Sequence, residues 1–299
     1  MYNWAKGVVN LNEYFLLKLY WSHFTTSQIH QFYRYNPHIF QMSSNEQETS
    51  LLCWIKQHHP TLLSKFQKYK QINIEEIMKI LRQLHVKYIT YFDEDYPYLL
   101  KEIYDYPFIL FYKGDKKLFL SNQTLAIVGA RKCSHYTHEA LHYLFPSFKE
   151  KNITIVSGLA EGADSEAHIQ AVKNNLPTIA VLGFGHHYYY PRTSVSLRNK
   201  IEKKGLVISE YPPFSPIAKY KFPERNRIIS GLSKGVLLTE ANERSGSRIT
   251  VDCALEQNRN VYVLPGKLFD SKTKGNLLLH QEGATIVVSS EDILQDYLN

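Results

Sequence analysis

The apolar pattern of the chain changes period near residue 86. Before that point apolar residues recur at helical spacing, in Tyr14–Trp21, in Leu51–Ile55 and in Ile74–Leu84. Breaks fall at Asn36-Pro37 and His59-Pro60. Only Gly7 and Gly114 of the 14 glycines precede residue 129, so tight turns are scarce there. These features predict a small all-helical accessory domain over residues 1–84. They do not state its role, and no glycine-bearing hairpin of a helix-hairpin-helix DNA binder is present.

From Val86 short apolar runs take over. Val86–Phe92 and Phe108–Gly114 read as strands. A regular alternation follows. Strands are expected at Leu125–Gly129, Ile153–Ser157, Thr178–Gly183, Leu206–Glu210, Gly235–Glu240, Asn260–Leu264 and Thr285–Val288. Helices are expected at about 136–150, 162–174, 194–204 and 249–257. Strands alternating with such helices predict an α/β fold, an extended Rossmann-like, doubly wound and mostly parallel sheet over residues 85–299. In such sheets ligands sit beyond the carboxyl ends of the strands, and the glycine turns after the first three of these strands lie there.

Composition narrows the chemistry. Net charge is +7, which favours an acidic partner. Cys53, Cys133 and Cys253 are far apart, so neither a disulfide framework nor a zinc site is indicated. No apolar run reaches the ~18 residues of a membrane span, and the N-terminus carries no signal segment. A cytoplasmic protein is expected. The first strand-to-helix turn, Gly129–Ser134, holds one glycine and two cations rather than G-x-G-x-x-G, and no P-loop is present. No cofactor is expected, and no metal: His186-His187 lacks a further ligand at helical spacing.

The candidate chemistry concentrates in Lys219–Thr250. Lys219, Lys221, Arg225 and Arg227 surround Phe222, and Ser245-Gly246-Ser247 forms a small-residue turn between a strand and a helix. Such a turn aims backbone N–H groups at an anion. Cations beside aromatics suit a single-stranded nucleic acid, whose bases stack for ~1–3 kcal/mol each. Phe184 and Tyr188–Tyr190 offer further rings. The same residues have structural alternatives: the arginines could pair with Glu224 and Glu240, and Phe222 and the tyrosines could pack. Asp164 and His168, four apart on one helix, read as a cap and a packed ring.

Taken in order, five segments carry a resemblance. They are Val128-Gly-Ala-Arg131, Ser157-Gly-Leu-Ala-Glu-Gly-Ala-Asp-Ser-Glu-Ala-His168, and Ala180-Val-Leu-Gly-Phe-Gly185 leading to Tyr190-Pro191. Phe222-Pro-Glu-Arg-Asn-Arg-Ile-Ile-Ser-Gly-Leu-Ser233 follows. The fifth is Glu240-Ala241 with Ser245-Gly-Ser247 and Thr250, closing at Leu264-Pro-Gly266. The chain resembles the DNA-processing protein A family (DprA/Smf) over residues 125–290. The resemblance implies a non-enzymatic, homodimeric protein that binds single-stranded DNA and loads the RecA recombinase onto incoming DNA during natural transformation. By motif it implies a DNA groove lined by Arg131, Arg225, Asn226 and Arg227, with Gly129, Ser157 and Gly158 at its floor and Lys221 contacting phosphate; Lys132, Lys219, Phe222, Ser245, Gly246 and Ser247 are the further DNA-binding candidates from the residue pattern itself. Departures from the family pattern are Ala130 for a serine, Glu161 for an arginine, His187 for an aspartate, and Arg248 after the SGS step. No counterpart is expected here of the C-terminal winged helix that many family members carry. The alternative is a Rossmann-like hydrolase that releases bases from nucleoside monophosphates with Glu240 as its acid–base residue, although the GGxGTxxE segment of such enzymes is absent.

Overall fold

A computed structural model describes residues 11–297; the extreme N-terminus, read above as free of a signal segment, lies outside them. The chain divides into two units, residues 1–85 with 107–109, and residues 86–106 with 110–299.

The first unit is helical. α1 (Leu11–Trp21), α2 (Thr26–Tyr35), α3 (Ser44–His58), α4 (Leu63–Gln71) and α5 (Ile74–Gln83) surround an aromatic core. Phe32 packs at 5.2 Å from Trp54, and Phe15 at 5.9 Å from Tyr69, both in tilted or edge-on arrangements that suit aromatic quadrupoles. The polar helix α2 escaped the apolar-period reading. It starts in a capping box, Thr25 with Gln28, whose reciprocal bonds satisfy two N-terminal N–H groups.

The second unit is one nine-stranded sheet. Its elements are β1 (Lys87–Thr90), α6 (Tyr98–Lys101), β2 (Ile109–Gly114), β3 (Thr124–Val128), α7 (His135–Glu150), β4 (Thr154–Ser157), α8 (Ala163–Lys173), β5 (Thr178–Leu182), α9 (Val195–Lys204), β6 (Leu206–Ser209), α10 (Lys221–Gly231), β7 (Gly235–Leu238), α11 (Arg248–Glu256), β8 (Asn260–Val263), α12 (Lys274–Gln281), β9 (Thr285–Ile286) and α13 (Glu291–Leu294). The spatial order is β1-β2-β6-β5-β4-β3-β7-β8-β9. β2 pairs antiparallel with β6, and the ladders from β6 through to β9 are parallel.

Strand alternation feeds two cores. Ala126 and Val128 join Val156, Val181 and Val236 on the face covered by α10 and α11. Leu125 and Ile127 face the opposite way, against Leu141 and Phe145 of α7 and Ala167 of α8. Period-2 side chains buried on both faces explain why these strands read as continuous apolar runs. The expected doubly wound, Rossmann-like fold is the observed one. Two helices went unread. α10 carries three cations and Pro223, but the proline sits in its first turn, where a missing N–H costs nothing. α12 opens on Gly275-Asn276 and has a short apolar stretch.

From β3 the chain winds outward through β4, β5 and β6, then returns to place β7 on the other side of β3. The switch point of the winding therefore lies between β3 and β7.

Candidate nucleic-acid interface

The carboxyl ends of β3, β4 and β5 carry turns that approach one another closely. A Cβ on Gly129 would overlap the Thr239 hydroxyl and stand 2.8 Å from the Ala163 methyl. A Cβ on Gly158 would overlap the guanidinium of Arg225. Neither turn has room for a side chain, so glycine is required by packing at both.

Arg225 is the centre of this arrangement. It is only 4% exposed. One Nη donates to the carbonyl of Gly158 at 2.7 Å and also to the carbonyl of Val181. It thus ties the turn after β4 to the end of β5. Nε donates to Asn226 Oδ1 at 3.3 Å. Asp164, buried at the start of α8, is the neighbouring anion: burial raises its carboxyl above the usual range, and Arg225 and the Ala160 amide oppose that rise. Burial likewise lowers the Arg225 guanidinium, and Asp164 opposes that shift. Each charge thus offsets part of the other's burial.

The structure distributes the expected groove residues between the floor beneath the turns and the flanking loop. Arg225 lies beneath the turns rather than along them. Ser157 is buried, its hydroxyl donating to Ile127 O at 2.6 Å. Lys221 is nearly buried, with Nζ on Ser215 Oγ at 2.7 Å and Pro216 O at 2.6 Å, so it braces the loop before α10. Arg227 reaches Asp105 at 2.8 Å and Glu210 at 2.6 Å. Two residues along a helix turn the side chain through ~200°, so Arg225 and Arg227 leave α10 on nearly opposite sides.

Other residues do converge at the surface. Arg131, Phe184, Tyr190, Pro191 and Phe222 wall a pocket over Gly158. The Phe222 ring lies 6.3 Å from Phe184 and 5.8 Å from Tyr190, and the Arg131 guanidinium stands 5.7 Å over it. The pocket volume is about 30 Å³, far below the ~300–1,000 Å³ of a small-molecule site. It is a shallow dimple. Around it Lys132, Lys219, Tyr189 and Arg192 are exposed. Glu161, the departure from the family's arginine, is also exposed on this wall and accepts from Thr193 at 2.9 Å.

The Ser245–Ser247 turn opens α11 beside this wall. Ser245 and Ser247 hydroxyls bond each other at 2.7 Å, and Gly246 faces open space. Asn226 holds the turn through Gly246 O at 3.5 Å. The Arg248 departure is spent on Glu282, at 2.8 Å to both carboxylate oxygens.

Glu240 is engaged on both carboxylate oxygens. Buried at the end of β7, it accepts from Ser134 N at 2.7 Å, Ser134 Oγ at 2.8 Å and Thr137 Oγ1 at 2.6 Å. It is a cap for α7, where a carboxylate also meets the positive helix end. His186 is buried too, with Nε2 on Phe111 O at 3.0 Å. Its neighbour Arg198 donates to His186 O at 2.8 Å and Tyr188 O at 2.5 Å, fixing the aromatic loop. Among the described residues no cluster of three or more His, Cys, Asp or Glu side chains could hold a metal ion, and no helix is long and apolar enough to cross a membrane.

Residues 87–298 match the profile of the DNA recombination-mediator protein A family. The chain belongs to that family. Relatives include the DNA processing protein DprA of Streptococcus pneumoniae, 43% identical over 205 residues, which are 69% of this chain and 72% of the relative. DprA of Bacillus subtilis is 39% identical over 75% of each chain, and the protein Smf of Escherichia coli is 40% identical over 78% of this chain and 62% of its own. Among solved structures, S. pneumoniae DprA superposes with a TM-score of 0.84 and 35% identity, covering 98% of this chain and 99% of that one. DNA processing protein A of Helicobacter pylori, whose structure concerns a single-stranded DNA binding mode, gives a TM-score of 0.63 at 28% identity over 71% of this chain and 96% of that one.

Two consequences follow for stability. Arg225→Ala strands Asp164 and two carbonyls in the interior and is expected to cost about 3–5 kcal/mol. A melting temperature lowered by on the order of 10 °C would show this; an unchanged value would mean that the buried bonds are dispensable. His168 and His186 are both held near a pKa of about 3, chiefly by burial. The unfolded rings take protons below ~6.5 while the folded ones stay neutral until about 3. Stability is therefore fully present above pH ~6.5 and falls as pH drops through that window, by up to ~1.4 kcal/mol per pH unit for each ring. Thermal melts from pH 7 to pH 5 are expected to show the fall, and the His168→Gln, His186→Gln double variant to flatten it.

Proposed function

We propose that this chain binds single-stranded DNA along the carboxyl rim of its sheet. The observation that carries this reading is the wall formed by Arg131, Phe222, Tyr190 and Phe184, with Lys132, Lys219 and Arg192 exposed around it. Phe222 and Tyr190, packed on the buried Phe184, offer π-faces to unpaired bases, and the surrounding cations meet phosphates. Gly129, Asn226 and the Ser245–Ser247 turn keep the backbone low enough for a strand to pass. Ser157, Gly158, Lys221, Arg225 and Arg227 contribute by holding the floor and the flanking loop in shape. A shallow surface fits a polymer better than a free nucleotide.

The family's description as a recombination mediator and the single-stranded DNA studied with the H. pylori protein support extending the reading. On it, the protein coats incoming DNA in the cytoplasm, acts as a homodimer, and passes the strand to RecA during natural transformation, without catalytic turnover. Residues 1–84 serve as an accessory domain.

The test is binding of a labelled 20-base oligonucleotide and of its duplex across a salt series. Preference for the single strand is expected, with affinity falling by ~0.7 in log–log slope for each phosphate neutralised. Arg131→Ala and Phe222→Ala are each expected to weaken binding about tenfold, Arg131→Ala with an unchanged melting temperature. Equal affinity for duplex, or indifference to both substitutions, would contradict the reading.

A further inference from the structure

The loop that leaves β8 is built to hold two apolar side chains in water. Leu268 is 76% exposed and Phe269 is 96% exposed, while Lys267, Lys272 and Lys274 stand exposed around them. The loop is knitted rather than slack. Asp270 N donates to Lys267 O at 3.0 Å, Lys272 N to Asp270 Oδ1 at 2.9 Å, and Thr273 N to Asp270 O at 3.1 Å. These bonds make a tight turn whose outer side presents the Phe269 ring.

The position of this turn is fixed from below. The buried Asn276 accepts from Ala241 N at 3.0 Å and donates to Thr239 O at 2.8 Å and Leu264 O at 3.0 Å. Gly275 N donates to Ala241 O at 2.8 Å. One side chain and one amide thus bind the exits of β7 and β8 together. The two strands are parallel neighbours, so the Phe269 turn and the Ser245–Ser247 turn share the carboxyl rim that carries the aromatic wall.

We propose that Phe269 is a second stacking platform for single-stranded DNA, at the far end of a track that starts at Phe222 and crosses the Ser245–Ser247 turn. This rests on the single-strand reading above and adds the direction and length of the strand. Phe222 lies against Gly183 at the end of β5. From β5 to β8 is four strand spacings, or ~19 Å at ~4.8 Å each. At ~3.4 Å per base that distance takes about six bases. Lys267 and Lys272 supply phosphate contacts at the far end, with Arg244 exposed between the two platforms. The charge of the loop favours a polyanion over a neutral apolar partner.

The test compares oligothymidylates of about 4 and 20 bases on the wild-type chain and on Phe269→Ala, by anisotropy at low salt. Phe269→Ala is expected to weaken the 20-base ligand about tenfold and to leave the 4-base ligand unchanged. Phe269→Trp is expected to retain affinity, and Lys267→Glu with Lys272→Glu to reduce the salt slope for the long ligand only. If Phe269→Ala binds both lengths as the wild type does while Phe222→Ala binds them weakly, the track does not reach β8 and the proposal is overturned. If sedimentation shows that Phe269→Ala instead dissociates a dimer, with long-ligand affinity per subunit unchanged, the ring is a protein contact and the proposal is likewise overturned. Failure of the wild type to bind either length would defeat the single-strand reading itself.

Discussion

A single buried guanidinium sets the geometry of the carboxyl rim. Arg225 fills the space under Gly158 and bonds carbonyls at the exits of two neighbouring strands. A charge taken out of water is costly unless it is paired and fully hydrogen-bonded. Asp164, Gly158, Val181 and Asn226 meet that condition, and the turns can then lie flat. The wall of Phe184, Tyr190 and Phe222 stands on that floor. An arginine in a basic motif thus lies in the floor, while Arg131, in the turn after β3, is exposed.

The switch point of the winding explains what the surface does not do. In doubly wound sheets the crevice at the reversal is the usual ligand site. Here it falls between β3 and β7, and Glu240 spans it to Ser134 and Thr137. Those bonds tie the two sides of the crevice together, and the proposed reading puts the accessible chemistry outward, on the rim. A rim without a deep cavity can follow a chain of repeating phosphates and bases, each contributing modestly, where it could not enclose a single nucleotide.

The sheet was legible because its strands are buried on both faces, so Leu125–Val128 or Thr178–Leu182 read as unbroken apolar runs between glycine turns. The helix α10 was not, because its first turn holds Pro223 and its cations masked its apolar face at Ile228 and Ile229. The motif segment could be recognised, but the separate fates of Arg225 and Arg227 required the helix that turns them apart. Glu240 and its partners are over a hundred residues apart in sequence, so a carboxylate that could have read as catalytic became a cap only in three dimensions. The convergence of Arg131 and Tyr190 from two loops with Phe222 from the first turn of α10 was equally invisible, although each residue had been singled out for its own chemistry. Phe269 drew no attention in the sequence, since one phenylalanine beside a turn is ordinary until its exposure is known.

The central claim is that the rim, and not the switch-point crevice, receives the ligand. Amide hydrogen exchange with and without a 20-base oligonucleotide tests it most directly. Added strand is expected to slow exchange at the turns after β3, at the aromatic loop 184–190, and at 245–247, leaving the outer helices α7 and α9 unaffected. Protection confined to other surfaces, or none at saturating oligonucleotide, would contradict the account.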